Sequence, residues 1–188
     1  MTQGIPMLHL GKALIISALL AVATTGPLPA QVSVTAPNPY PLPAFALPTI
    51  PAGGAPLTSS YFEHRIGVIE FWFPRCEYCG PMHDALARVA QRYGPDSVRI
   101  LAVDTDREAS REEALSWLQE HSPTPFPVVL DSTGLADSLH VYGAPFFAVV
   151  DHHGRVVHWL GGVDLDKALP PVLARYLAAR AAEPSAPR

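Results

Sequence analysis

The sequence has few cysteines, few lysines and no long apolar run. Its 188 residues include two cysteines and two lysines, and the formal net charge is −4. The eleven arginines are scattered, so we expect no basic surface for a nucleic-acid partner. The apolar run at residues 13–23 is too short for a membrane span, which needs about 20 residues. Any intramolecular disulfide must join Cys76 to Cys79.

Charge is also missing from one long stretch, because no charged residue or histidine stands between Lys12 and Glu63. A weakly positive start, a short apolar core and small residues near Ala30 are typical of an export leader. We predict that residues 1–30 form a signal peptide or a short membrane anchor. The predicted location is the periplasm or another extracytoplasmic compartment, with an N-terminal tether to the inner membrane if the leader is retained.

Proline dominates the segment that follows the leader. Residues 27–56 contain nine prolines and show no periodic apolar pattern. Such composition favours extended, polyproline-like chain. We therefore predict a proline-rich linker at residues 31–60, a folded domain at residues 61–182 and a disordered tail at residues 183–188.

The predicted domain alternates strand and helix patterns. Apolar runs of strand length occur at residues 66–73, 98–103, 126–130, 146–150 and 156–160. Helical spacing follows the first run, a capping box at residues 110–113 precedes a second helix, and a terminal helix starts at Asp164. Pro170 and Pro171 are expected to divide the terminal helix. This order predicts an α/β fold: a three-layer sandwich whose mixed central sheet has helices on both faces.

The two cysteines stand where the first strand ends and a helix begins. As a structural crosslink, a ring of roughly four residues would contribute only about 2 kcal/mol. A zinc site would need a second ligand pair, and the sequence offers no second cysteine pair and no histidine pair at ligand spacing apart from the adjacent His152 and His153. A helix N-terminus instead favours the thiolate of Cys76, with Arg75 acting in the same direction and Glu77 in the opposite one. Cys76 is therefore the predicted nucleophile, and Cys79 the cysteine that resolves the mixed disulfide.

Residues 70–81 (EFWFPRCEYCGP) resemble the strand, active-site motif and helix start of the thioredoxin superfamily. Residues 141–145 (VYGAP) are similar to the cis-proline loop of that family. Together with residues 114–118 and 151–162, they resemble the exported TlpA and CcmG/DsbE thioredoxins. The resemblance implies a thioredoxin-like fold and a protein thiol-disulfide oxidoreductase that needs no cofactor and no metal.

The resemblance also implies roles for three further residues. Pro145 would be cis and would expose the backbone of Ala144 for pairing with a substrate strand. Glu70 would be a buried acid beneath Cys79 that relays a proton when Cys79 attacks. Alternation supports this burial, since Glu70 shares a strand face with Val68 and Trp72.

Members of this group are usually reductases, which implies exported disulfide-containing proteins as substrates and a membrane-embedded electron donor. Apocytochrome c is the substrate of the specialised members, although Phe146 stands where they tend to carry an acid. The alternative prediction is a copper-binding metallochaperone using Cys76, Cys79 and a histidine, either His83 or His140. His152 and His153 are interpreted as solvated turn residues without a function.

Overall fold

The computed structural model describes residues 1, 31–106, 111–121, 124–162 and 164–183. The predicted leader, apart from Met1, and the tail after residue 183 lie outside the described residues. The strands are β1 (Val32–Pro41), β2 (Ala46–Leu47), β3 (Thr49–Ile50), β4 (Leu57–Thr58), β5 (Ile66–Trp72), β6 (Val98–Asp104), β7 (Val128–Leu130), β8 (Phe146–Val150) and β9 (Arg155–Gly161). The helices are α1 (Cys79–Tyr93), α2 (Arg111–Glu120), α3 (Leu135–Ser138) and α4 (Leu165–Ala182), with a 3₁₀ turn at Ser59–Phe62.

Seven strands form a mixed sheet in the order β1-β9-β8-β5-β6-β7-β3. At its centre, β5 pairs in parallel with β6 and antiparallel with β8. Every residue of β5 is buried, which explains why this strand reads as a continuous apolar run interrupted by Glu70. The predicted β8–β9 hairpin is present at the antiparallel side of the sheet.

The two faces of β5 enter separate hydrophobic clusters. Val68 and Trp72 pack with apolar residues of α1, α2 and α4. Ile69 and Phe71 face the other way and pack with α3 and with residues preceding β5. The prediction of a three-layer α/β fold with helices on both faces is therefore confirmed.

The linker interpretation of residues 31–60 has to be corrected. Strand β1 pairs antiparallel with β9, and β3 pairs antiparallel with β7. Both are edge strands, and an edge strand tolerates proline because one side of its backbone needs no partner. The register of β1 shifts between Thr35 and Tyr40, where two of its prolines stand. Phe45, Leu47 and Ile50 are buried in the core, so the segment from Val32 onward belongs to the folded domain.

The terminal helix also differs from the prediction. Helix α4 continues through Pro170 and Pro171 instead of dividing there. Leu165, Leu169 and Leu173 are buried against the sheet, and this packing holds the helix together across the backbone hydrogen bonds that proline cannot donate. Among the described residues, no helix is long and apolar enough to cross a membrane.

Candidate active site

The cysteine pair lies in the turn between β5 and α1. The N–H of Cys76 donates to the carbonyl of Phe73 at 3.0 Å, and the N–H of Cys79 donates to the carbonyl of Cys76 at 3.2 Å. A disulfide joins Cys76 to Cys79, with their Cα atoms 5.4 Å apart. Cys79 is fully buried and Cys76 is 6% exposed. Cys76 is thus the more accessible of the two residues, as expected for the predicted nucleophile.

The start of α1 provides a favourable environment for a thiolate. The helix begins at Cys79, its N-cap residue Tyr78 makes no side-chain capping bond, and the first turn holds no acidic residue. The free N–H groups of this turn favour negative charge nearby. Arg75 is less available than expected, because its half-exposed guanidinium contacts Asp106 and lies 3.6 Å from Glu113. Of the two influences predicted to favour a Cys76 thiolate, the helix terminus is therefore better placed than Arg75.

The loop at residues 141–145 lies at the same end of the sheet as the cysteines. Phe146, the first residue of β8, pairs with Phe71 near the end of β5. Since β8 runs antiparallel to β5, the loop before Phe146 meets the turn that follows β5. Ala144 packs against the cluster that contains both cysteines, and the Ala144–Pro145 bond is cis. The structure thus places Ala144 and Pro145 at the end of the sheet that holds the cysteine pair, and their role in substrate binding stays a prediction.

Glu70 lies in the core beneath this end of the sheet. It is fully buried on the face it shares with Val68 and Trp72. Burial raises the pKa of the Glu70 carboxyl, and the neighbouring His83 acts to lower it. A carboxyl with a raised pKa can take up and release a proton near neutral pH.

His83 is the partner of Glu70 that sequence reasoning missed. Its Nδ1 lies 2.7 Å from Oε2 of Glu70, although the direction of the ring N–H departs from ordinary hydrogen-bond geometry. The ring is 2% exposed and packs among Trp72, Trp117 and Phe126, with centroid distances of 5.2–5.4 Å. The spacing from Cys79 had suggested a metal ligand, but no sequence pattern links position 83 to position 70.

This contact bears on the metallochaperone alternative. His83 faces a buried carboxylate, so the histidine that would complete a site with Cys76 and Cys79 is already engaged. The other candidate, His140, is exposed, and its Nδ1 lies 3.4 Å from the Tyr142 hydroxyl. Neither position favours a three-ligand copper site at the cysteine pair.

Asp104 is a second buried acid that the sequence did not reveal. It ends β6 directly beside Trp72, is 1% exposed, and accepts the N–H of Asp106 through Oδ1 at 3.0 Å. Its Oδ2 is buried without a hydrogen-bond partner. Burial raises the pKa of Asp104 to about 6. The only sequence signal is an acid directly after the buried run at residues 98–103.

Two exposed aromatic side chains lie at the end of the sheet that holds the disulfide. Tyr78, between the cysteines, is 68% exposed, and Tyr142, in the loop before Pro145, is 82% exposed. Tyrosine is enriched at binding surfaces, because its ring offers apolar area and its hydroxyl a hydrogen bond. Tyr78 stands between the cysteines, and Tyr142 stands on the loop at the same end of the sheet.

Comparison with known proteins gives consistent matches. The model of the family described as Redoxin matches residues 38–169, a span that starts inside β1. The thiol:disulfide interchange protein DsbE of Pseudomonas aeruginosa is 27% identical over 124 residues, covering 65% of this chain and 66% of that protein, just under two thirds of its length.

Solved structures match over most of the described domain. A thio-disulfide isomerase of Thermus thermophilus is 29% identical with a TM-score of 0.61, covering 73% of this chain and 95% of that one. An exposed lipoprotein thioredoxin of Streptococcus pneumoniae shares the fold with 21% identity and a TM-score of 0.62, covering 71% and 99% of the two chains.

Proposed function

The chain belongs to the Redoxin family and has a DsbE-like thioredoxin fold, and from this we propose that it reduces disulfides of exported proteins. The observation that carries the proposal is the Cys76–Cys79 disulfide at the junction of β5 and α1, bordered by the Pro145 loop. It is a thiol-disulfide oxidoreductase that cycles between this disulfide and the dithiol.

The catalytic cycle uses two sulfur exchanges. In the reduced enzyme, the Cys76 thiolate attacks one sulfur of a substrate disulfide, forms a mixed disulfide and releases the other substrate sulfur as a thiolate. Cys79, deprotonated, then attacks the Cys76 sulfur, releases the second substrate thiolate and restores the Cys76–Cys79 disulfide. The substrate gains two electrons and the enzyme loses two. A membrane-embedded dithiol donor returns them.

Glu70 is assigned the proton transfer of the second exchange. Cys79 is fully buried, so its thiol cannot give its proton directly to water. A buried carboxylate on the neighbouring strand face can accept that proton, provided that its pKa is near the working pH. Burial and His83 act on the pKa of Glu70 in opposite directions, which suits this requirement. His83 is a positioning residue in this scheme.

Substrate binding is assigned to the Pro145 loop. In this proposal the backbone of Ala144 pairs with an extended substrate segment, and the cis bond to Pro145 keeps that backbone exposed. Tyr78 and Tyr142 add exposed aromatic surface on either side. Because Phe146 follows Pro145, the loop offers no acid for a specialised substrate, and we favour varied exported proteins over apocytochrome c alone.

The extracytoplasmic location is part of the same proposal. The leader-like composition of residues 1–30 supports export, with the chain either released or tethered to the inner membrane. One structural relative is itself named an exposed lipoprotein. Disulfides persist in such compartments, so a reductase there has substrates.

Insulin reduction tests the activity. With dithiothreitol as the electron source, the wild-type chain should accelerate precipitation of the insulin B chain, and Cys76→Ser should abolish the acceleration. Cys79→Ala should hold mixed disulfides between Cys76 and exported proteins, separable on non-reducing gels. Absence of both activity and trapped partners would overturn the proposal.

The direction of electron flow needs its own measurement. A reductase should have a potential well below the value of about −180 mV of protein disulfide isomerase. Equilibration with glutathione, read by tryptophan fluorescence or alkylation, gives that potential. A value well above −180 mV would make the protein an oxidase or an isomerase instead.

A further inference from the structure

The turn between β8 and β9, at the opposite end of the sheet from the cysteines, is held in one conformation. Asp151 accepts the N–H groups of His153 and Arg155 through Oδ1, at 3.0 and 2.9 Å. Gly154 has a φ of 73° and donates its N–H to the carbonyl of Asp151. The carbonyl of Gly154 in turn accepts the N–H of Leu42 at 2.8 Å. The backbone that carries His152 and His153 is therefore fixed before any ligand arrives.

Both histidines of this turn point at the same carboxylate. Nε2 of His152 lies 2.9 Å from Oε2 of Glu183, and Nε2 of His153 lies 3.1 Å from Oε1. One ligand atom from each of the three residues lies within 4.8 Å of the other two. The rings are 4.0 Å apart between centroids. An exposed carboxylate such as that of Glu183 can be hydrogen-bonded by water, so its two imidazole neighbours are more than it needs.

Glu183 is also anchored. It follows the last residue of α4, and its N–H contacts the carbonyl of Arg180 at 3.4 Å. The Arg180 guanidinium donates to the carbonyls of Ser97 and Asp96 at 3.2 and 3.4 Å. The end of the helix is thus attached to the loop before β6, and the carboxylate is held opposite the turn.

A second observation on this cluster concerns the ring nitrogens of His152. Its side chain is 13% exposed, and both ring nitrogens are shielded from solvent without a hydrogen bond of ordinary geometry. A shielded polar atom that lacks such a bond is unfavourable and calls for an explanation. An ion between the two rings and the carboxylate would satisfy Nε2 of His152.

We propose that His152, His153 and Glu183 bind one divalent transition-metal ion, represented by Zn²⁺. Two imidazole nitrogens and one carboxylate oxygen are donors that zinc accepts, whereas calcium and magnesium prefer oxygen ligands only. Tetrahedral zinc with bonds of about 2.0 Å places its ligand atoms about 3.3 Å apart. The present contacts of 2.9 and 3.1 Å need to open by only a few tenths of an ångström. Water takes the fourth position.

The ion would connect the hairpin turn to the end of the last helix. Strand β8 separates this turn from the Pro145 loop by about 17 Å, at about 3.4 Å per residue. The metal therefore stabilises the fold and takes no part in thiol chemistry. This inference stands whether or not the proposed reductase activity is correct.

Zinc titration of the oxidised full chain, purified without a polyhistidine tag, tests the site. In this state the thiols are not available to zinc. Calorimetry should show one bound Zn²⁺ per chain, and zinc should raise the melting temperature. His153→Ala and Glu183→Gln should each weaken binding at least tenfold and remove the shift. His64→Asn, at an exposed histidine elsewhere, should bind as the wild type does.

Both variants alter half-exposed side chains, so retention of the fold is expected and is checked by the melting temperature without zinc. A Cys76→Ser, Cys79→Ser double variant should bind zinc as the wild type does. The proposal is overturned if the oxidised chain binds no stoichiometric zinc. It is also overturned if binding survives both His153→Ala and Glu183→Gln, or requires the free thiols.

Discussion

Nδ1 of His83 lies 2.7 Å from Oε2 of Glu70, and both side chains are buried where strand β5 meets helix α1. Glu70 comes from the strand and His83 from the helix that starts at Cys79. Glu70, the acid assigned to the proton transfer, therefore contacts the same helix that begins at Cys79, the cysteine it is proposed to deprotonate. Substitutions in this pair therefore test how protonation is controlled at the active site.

Replacing His83 by phenylalanine should move the pH dependence of the enzyme. Phenylalanine keeps the aromatic packing against Trp72 and Trp117, but it removes the two influences that lower the pKa of Glu70. Only the effect of burial remains, so the pKa of Glu70 rises further and the carboxylate forms at higher pH. The acidic limb of an insulin-reduction profile should shift to higher pH.

Glu70→Gln is the matched control for this shift. Glutamine cannot accept the proton, and we expect the release of the mixed disulfide to slow on the order of a hundredfold, as for loss of a general base. Adding His83→Phe to Glu70→Gln should produce no further pH shift. An unchanged profile in His83→Phe alone would contradict the assignment of His83 to Glu70.

The oxidised protein should be more stable than the reduced protein. When the disulfide form is the more stable one, the dithiol form gives up its electrons readily. A reductase is therefore expected to be more stable in the oxidised state than in the reduced state. The four-residue ring corresponds to about 2 kcal/mol, or a difference in melting temperature of about 5 °C. Calorimetry with and without reductant measures it. Higher stability of the reduced form would indicate an oxidase, and the Cys76→Ser, Cys79→Ser variant should not respond to reductant.

Asp104→Asn should stabilise the protein at neutral pH. Burial raises the folded pKa of Asp104 to about 6 from 3.8, so the folded state binds the proton more tightly than the unfolded state does. The destabilisation due to this acid is absent below pH 4, grows between pH 4 and 6, and is complete above pH 6. Asparagine can still accept the N–H of Asp106.

Thermal denaturation at pH 4 and pH 7.5 checks this prediction. The gain from Asp104→Asn should be on the order of 2 kcal/mol at pH 7.5, from a shift of about two pKa units. It should vanish at pH 4. An equal gain at both pH values would show that the ionisation of Asp104 is not its source.

Two substitutions in β1 distinguish a sheet strand from a tether. Ala36 is 6% exposed, so Ala36→Asp places a charge in a buried position and should cost on the order of 2 kcal/mol. Val34→Asp, on the same strand at 51% exposure, is the control and should cost far less. Urea unfolding measures both. If both substitutions have equal and negligible effects on stability, the segment is a linker, as its proline content had suggested, and not a sheet strand.

Much of the active site could be predicted because its geometry is local. Cys76 and Cys79 occupy one turn, and the apolar run before them and the helical spacing after them define a strand–turn–helix unit. Alternation placed Glu70 on the buried face of β5. The position of Pro145 relative to the cysteines was predicted only from the resemblance to a known family, because the separation of Pro145 and Cys76 along the chain does not say whether they meet.

The sequence by itself determined the order of strands and helices from β5 onward and the place of the cysteine pair, because backbone periodicity and turn chemistry act over a few residues. Only the tertiary structure decided which distant groups meet. It paired the proline-rich β1 with β9, brought His83 to Glu70, buried Asp104, and joined His152 and His153 to Glu183. These contacts depend on strand register and on the rotation of each packed helix, which no local pattern specifies.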